Sequence, residues 1–353
     1  MTQQVQGPRR KLVFGIVVSL ASTVVALALA EGALRVLVPE ADLISMHEAD
    51  SWKLRVRESL EDGKPVRSGD TQYDADLGWR MKAGYAAAGV HHDAHGFRGT
   101  RQYSVKQAGV RRVLVLGASF AYGDGVRDEE TFSALLEAST GAEVINAGVN
   151  AYGLDQALLL WERDGQRLAP DHVLLVIHVD DYYRSALTFR NGPKPHFVRA
   201  GDTFELAGVP APAPDTLAAT GVLDVPSRLR IVRALGWLMR RARRQGREDA
   251  LDGREAERLE ALNAFILTRL RDSVRSSGAQ LTIALGGHCA EPHAYPFSER
   301  AIARLARTLS IPLVDTIEPM ARGDYPSFFG ANCHWSARGH AFVAGLLERP
   351  LGR

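Results

Sequence analysis

The apolar positions of this chain fall into one long run and a series of short ones. Leu12 to Ala30 carries no charged residue, roughly the length that crosses a bilayer as a helix. The short runs are different. Val113–Leu116, residues 143–146, 172–178, 281–285 and 311–314 are compact apolar stretches bounded by turn residues, which reads as buried strands. Between them lie stretches of helical period at 129–138 with Asp128 as N-cap, 154–167, 255–276, 298–309 and 336–347. Strands alternating with helices predict an α/β fold. It is a three-layer α/β/α sandwich around a five-stranded parallel sheet in flavodoxin-like order, plus an N-terminal transmembrane helix. An insertion at about 185–246 interrupts the alternation. It opens with a hairpin turning at Gly201-Asp202, passes a Pro/Ala stretch at 210–214, and continues as a helix from Ser227.

Charge sets the organisation at the N-terminus. Arg9, Arg10 and Lys11 precede the long run, and Glu31, Glu40, Asp42, Glu48 and Asp50 follow it. The positive-inside rule puts residues 1–11 in the cytoplasm, a membrane anchor at 12–30, and the rest in the periplasm or at the cell surface. Ala28-Leu29-Ala30 also resembles a signal-peptide cleavage site, so the alternative is a cleaved leader. The length of the run and the return of apolar residues at 33–38 favour the uncleaved anchor. Residues 31–105 read as a juxtamembrane and lead-in segment, and 106–350 as the main domain.

Composition adds limits. With 353 residues, 46% of them hydrophobic, the chain can bury one sizeable core, and a net charge of +2 suggests no nucleic-acid partner. Arg240, Arg241, Arg243 and Arg244 read first as a solvated helix face and second as a contact for anionic lipid or polysaccharide. His91, His92 and His95 read as exposed turn residues, since no ligand set stands around them at metal spacing. No metal or other cofactor is expected.

The chemistry concentrates where the strands end. RRVLVLGASFAYGDGV places Ser119 directly after the first strand, and glycines 117, 123 and 125 allow a tight turn there. Gly148 follows the second strand, and Asp180 and Asp181 follow the third. His334 follows the fifth, just ahead of the last helix. A serine, a histidine and backbone N–H groups converging on one sheet edge are the requirements of acyl transfer.

VLVLGASFAYGDGV, NAGVNAYG and HWSARGH resemble three sequence blocks of the SGNH/GDSL hydrolases, and LGWR and AHGFRG resemble segments that precede the domain in membrane-anchored bacterial members. The resemblance covers most of residues 75–350 apart from the insertion. It implies a serine esterase with Ser119 as nucleophile, His334 as base, and the N–H groups of Ser119 and Gly148 in the oxyanion hole. Three positions depart from the pattern. Ala118 stands where the family has Asp. Asp180 stands where it has the Asn that binds the oxyanion, and a carboxylate there repels an oxyanion unless protonated. Asn332 and Ala331 stand where it has the carboxylate that orients the histidine. Asn150, on the loop beside Gly148, is a candidate replacement for the missing oxyanion amide, and Asn332, Asp180 and Asp181 are candidate supporting groups.

The chain has two cysteines, Cys289 after the fourth strand and Cys333 after the fifth. In an oxidising compartment they are expected to form a disulfide closing a loop of about 45 residues, contributing roughly 3–4 kcal/mol. The alternatives are two buried thiols, or a metal site made with His288 and His334. The function expected is hydrolysis of an ester on a cell-envelope or extracellular substrate, an acylated small molecule or polysaccharide. The alternatives are an O-acyltransferase acting on envelope polysaccharide, or a catalytically impaired family member that binds glycan.

Overall fold

A computed structural model of the chain describes residues 8–37, 69–103, 105–213, 230–231, 234–235 and 253–351. The arginine run at 240–244 and most of the juxtamembrane segment lie outside the described residues, as does most of the helix expected from Ser227.

In chain order the elements are helix α1 (Pro8–Leu37), strands β1 (Thr71–Asp74), β2 (Gly78–Met81), β3 (Ala86–Ala87), β4 (Val90–His91) and β5 (Arg112–Gly117), and helices α2 (Ser119–Tyr122) and α3 (Phe132–Thr140). They continue through β6 (Glu143–Asn146), α4 (Leu154–Arg163), β7 (His172–His178), α5 (Asp181–Arg184), and the hairpin β8 (His196–Ala200) and β9 (Thr203–Ala207). The last are α6 (Gly253–Ser276), β10 (Gln280–Gly286), α7 (Pro296–Thr308), β11 (Leu313–Asp315), α8 (Ile317–Ala321) and α9 (Ala337–Leu351).

The main sheet runs β11-β10-β7-β5-β6, with every pairing parallel. The order is the one expected, with β5 and β7 central. Side chains alternate across it. Leu114, Leu116, Val173, Leu175, Ile283 and Leu285 pack with α4, α6 and α7 on one face. Val113, Val115, Leu174, Val176 and Ala284 pack with α3 and α9 on the other. Three layers follow from that division. β5 and β7 are buried along their whole length, which explains why they read as unbroken apolar runs.

Two boundaries differ from the sequence reading. The α3 N-cap is Thr131, whose side chain accepts from the Ala134 N–H, whereas Asp128 opens a short 3-10 turn. Asp128 is drawn away from capping because Arg98 Nε (2.5 Å) and His91 Nδ1 (2.6 Å) both bind its carboxylate. The lead-in is also not a separate tether. Leu77, Trp79, Met81 and Phe97 are buried in the main core, so the domain starts at β1 and not near residue 106. The hairpin at Gly201-Asp202 forms as expected, between β8 and β9.

Within α1, Val13–Leu37 is long and apolar enough to cross a membrane, and its outward apolar side chains meet no core.

Candidate active site

Ser119 stands where β5 ends. Gly117 has φ +141°, and a Cβ there would strike the Val176 carbonyl on β7, so only glycine makes the turn. The chain then enters α2 with Ser119 as its first residue. First-turn N–H groups of a helix have no acceptor within it, and the Ser119 N–H is one of these. The Gly123 and Asp124 N–H groups both return to the Ser119 carbonyl, at 2.9 and 3.1 Å. The nucleophile turn is thereby closed on itself.

His334 reaches this point from the far end of the chain. Its Nε2 lies 2.8 Å from Ser119 Oγ. Its Nδ1 lies 2.9 Å from the Asn332 backbone carbonyl. A carbonyl only accepts, so Nδ1 carries the proton and Nε2 presents its lone pair to the serine hydroxyl. That is the tautomer a general base needs. The ring is braced by Phe120, with centroids 5.1 Å apart. The backbone is braced too: the Gly330 N–H donates to the His334 carbonyl at 2.8 Å, and the His334 N–H donates to Asn332 Oδ1 at 3.3 Å. Cys333, just before it, has φ +63°, a left-handed conformation unusual for a side-chain-bearing residue. A disulfide joins Cys333 to Cys289 across a Cα–Cα distance of 5.2 Å, and no free cysteine remains. His288, Cys289 and Cys333 cluster at metal-binding distances, but both sulfurs are committed to the bridge.

Other expected site residues are placed differently. The Gly148 N–H does not stand free for an oxyanion. It donates to Asn146 Oδ1 at 3.0 Å, because Asn146 ends β6 and folds its amide back over the next turn. Gly148 is needed for another reason: a Cβ would collide with the Tyr122 N–H in α2, so the two loops can meet only at glycine. Asn332 orients His334 through its backbone carbonyl rather than its side chain. Its amide packs against Gly125, capping the His334 N–H and donating to the Asp124 carbonyl at 3.4 Å. Asn150 carries a buried side-chain oxygen with no hydrogen-bond partner, while its backbone carbonyl accepts from Trp79 Nε1 at 2.9 Å.

The two aspartates after β7 separate in character. Burial raises the Asp180 carboxyl, but the surrounding positive charge, including the Arg184 and Arg190 guanidinium groups, outweighs it and holds it below the ordinary carboxylate value. Asp180 therefore stays ionised and does not stand in for the amide donor. Asp181 is buried, accepting from the His178 N–H at 2.9 Å and from Arg184 at 2.6 Å, and burial pushes it up to about 7. It ties α5 to the strand end. His178 stacks on Phe120 with centroids 4.3 Å apart, and burial drives it down to about 3, leaving it neutral.

One group near the base lay outside the sequence expectation. Asp124, five residues after the nucleophile, has Oδ2 3.6 Å from His334 Nδ1. The signal was the charged residue between Gly123 and Gly125, which reads as turn chemistry when met alone. The histidines at 91, 92 and 95 are also more engaged than exposed turn residues. His91 binds Asp128, His95 faces Asp93, and His92 is buried between the Lys82 carbonyl (2.8 Å) and the Tyr122 hydroxyl (2.9 Å). A cavity of about 720 Å³ lined by Lys106, Arg111 and Asp171 lies at the opposite, amino-terminal ends of the strands.

No protein-family model matches the chain, and no curated protein matches it. Solved structures do resemble it. One is described as a lipolytic protein of the G-D-S-L family from Desulfitobacterium hafniense, at 11% identity, covering 67% of this chain and 98% of that one with a TM-score of 0.40. A lipase/acylhydrolase from Enterococcus faecalis is similar at 12% identity, covering 69% and 96% with a TM-score of 0.42. An acetyl xylan esterase from Geobacillus stearothermophilus is similar at 16% identity, covering 69% and 94% with a TM-score of 0.40. At such identities the likeness concerns overall arrangement, and the chemistry rests on the side chains described above.

Proposed function

We propose that the chain is a membrane-anchored serine esterase or deacylase of the SGNH type, acting on an ester of a cell-envelope or extracellular substrate. The observation that carries this reading is the 2.8 Å contact between Ser119 Oγ and His334 Nε2, with Nδ1 held as donor by Asn332. Two residues 215 positions apart meet in the tautomer that acyl transfer requires. In the reaction, His334 removes the hydroxyl proton as Ser119 Oγ attacks the ester carbonyl. The Ser119 N–H supports the oxyanion at the head of α2, and Asn150 supplies the second donor. His334 then gives its proton to the departing alcohol. Water, activated by the same imidazole, releases the acid and restores the serine.

The apolar α1 is read as the anchor, with the domain on the outer side. The Cys289–Cys333 bridge supports that placement, because disulfides persist in oxidising compartments. The test is fluorophosphonate labelling of the full-length protein in detergent. Labelling of the unaltered chain and its loss in Ser119→Ala is expected. A chain that folds but takes no Ser119-dependent label would replace the esterase with a glycan-binding protein, a reading favoured by the ionised Asp180 at the usual amide position.

A further inference from the structure

We propose that Asp124 is the positioning carboxylate of this site, supplied by the nucleophile's own loop in place of one preceding the histidine. The inference rests on the reading of Ser119 and His334 as nucleophile and base. Among the described residues, Asp124 is the carboxylate within 4 Å of the His334 ring, with Oδ2 3.6 Å from Nδ1. That is the nitrogen that keeps its proton throughout, so a negative charge there favours the imidazolium that forms when Ser119 is deprotonated. In the resting structure the direct partner of Nδ1–H is the Asn332 carbonyl. The two acceptors divide the work. The carbonyl fixes the tautomer, and the carboxylate answers the charge. Catalytic contacts that are long in a free enzyme commonly tighten when the charge develops.

The placement of Asp124 is built into the fold. Its N–H is fixed to the Ser119 carbonyl at 3.1 Å, and its carbonyl accepts from Asn332 Nδ2 at 3.4 Å. The residues on either side are clamped from outside the loop by Arg98. This side chain is almost wholly buried and donates to the Gly123 carbonyl at 3.2 Å and the Val126 carbonyl at 2.6 Å. Its guanidinium lies over the Tyr122 ring at 4.6 Å and is paired with Asp128. The lead-in segment thus holds the loop that carries the carboxylate. Among the described residues, three imidazoles also lie near His334: His178 at the end of β7, His288 after β10 and His340 on α9. His178 and His340 are driven to the neutral form by burial, so neither places a competing positive charge beside the imidazolium.

The test uses the full-length protein in detergent with Asp124→Asn and Asp124→Glu. With p-nitrophenyl acetate, Asp124→Asn is expected to lower kcat roughly tenfold with KM little changed, and to move the acid limb of the pH profile to lower pH by about half a unit to one unit. Asp124→Glu should restore part of both. The drop is smaller than for a group that sets the tautomer, because Asn332 retains that role. An independent reading is the His334 ring signal in carbon-13-histidine NMR, which should titrate at lower pH in Asp124→Asn. An unchanged ring titration in Asp124→Asn overturns the proposal, whatever the activity. Absence of Ser119-dependent labelling in the unaltered protein would instead count against the esterase reading, and the NMR comparison would still decide Asp124.

Discussion

The two N–H groups expected to bind an oxyanion are unequal in this site. Ser119 N–H stands at the head of α2 without an intrahelical acceptor, while Gly148 N–H already serves Asn146. Asp180 is ionised and contributes no donor. A second donor must come from elsewhere, and the candidate is the side-chain NH2 of Asn150, on the loop beside Gly148. Asn150→Ala is expected to lower kcat for a model ester by about 10²-fold, the scale of removing one oxyanion donor. Unchanged turnover would remove Asn150 from the site. Ser119, His334 and the cysteine pair were legible in the sequence because each sits at a strand end, and strand ends are read from local apolar pattern. Asp124 was not, because its meaning depends on a histidine 210 positions later in the chain. The engaged Gly148 N–H was hidden for a related reason: the competing acceptor is a side chain whose rotamer no pattern reveals.

Elements near the site are held by charges that the sequence keeps far apart. Asp155, in the first turn of α4, and Lys194, at the base of the insertion, form an ion pair with both side chains fully buried. Lys194 Nζ also donates to the Leu187 carbonyl at 3.0 Å and the Arg184 carbonyl at 3.4 Å. Close by, Gly78 of β2 packs so tightly on Pro193 that a Cβ would lie 2.6 Å from its carbonyl oxygen. The insertion is therefore fixed at its base to α4 and β2 together. Lys194→Met would leave a buried carboxylate with no counter-charge, and the cost expected is about 3–5 kcal/mol. Urea unfolding measures it, and the double change Lys194→Met with Asp155→Leu should recover much of the loss. Equal destabilisation in the single and double variants would mean that packing, not charge, matters there. Sequence reading found the insertion and its hairpin, since both rest on turn residues and alternation. It set the domain start too late because Trp79 and Met81 lie in a four-residue strand, and Leu77 and Phe97 outside any strand, with too little pattern to announce a core.

Across the whole molecule, buried histidines set the response to acid. Burial drives His172 down to about 4, and His178 and His340 down to about 3. Each lies below the value near 6.5 of an unfolded chain. Between those limits the unfolded chain binds three protons that the folded chain refuses, so their stability contribution is full above about pH 6.5 and is lost as pH falls. Asp181 acts in the opposite sense. Burial raises it to about 7, so the folded chain holds a proton that the unfolded chain has released, and its contribution declines as pH rises from about 4 to 7. Among these four groups the three histidines outweigh Asp181, and their combined contribution should rise with pH between about 5 and 6.5. Two of the three histidines stand at opposite ends of β7 in the sheet, and the third lies on α9. His172 binds Thr282 across β7 and β10, His178 stacks beneath the active-site loop, and His340 accepts the Phe132 N–H from α3. Acid should therefore loosen the domain as a unit instead of releasing one loop. His340→Gln keeps an acceptor for Phe132 but removes one titrating group. Urea unfolding free energies measured from pH 5 to 6.5 should show a slope smaller by about one proton in that variant. An unchanged slope would mean that His340 is not held neutral in the folded chain.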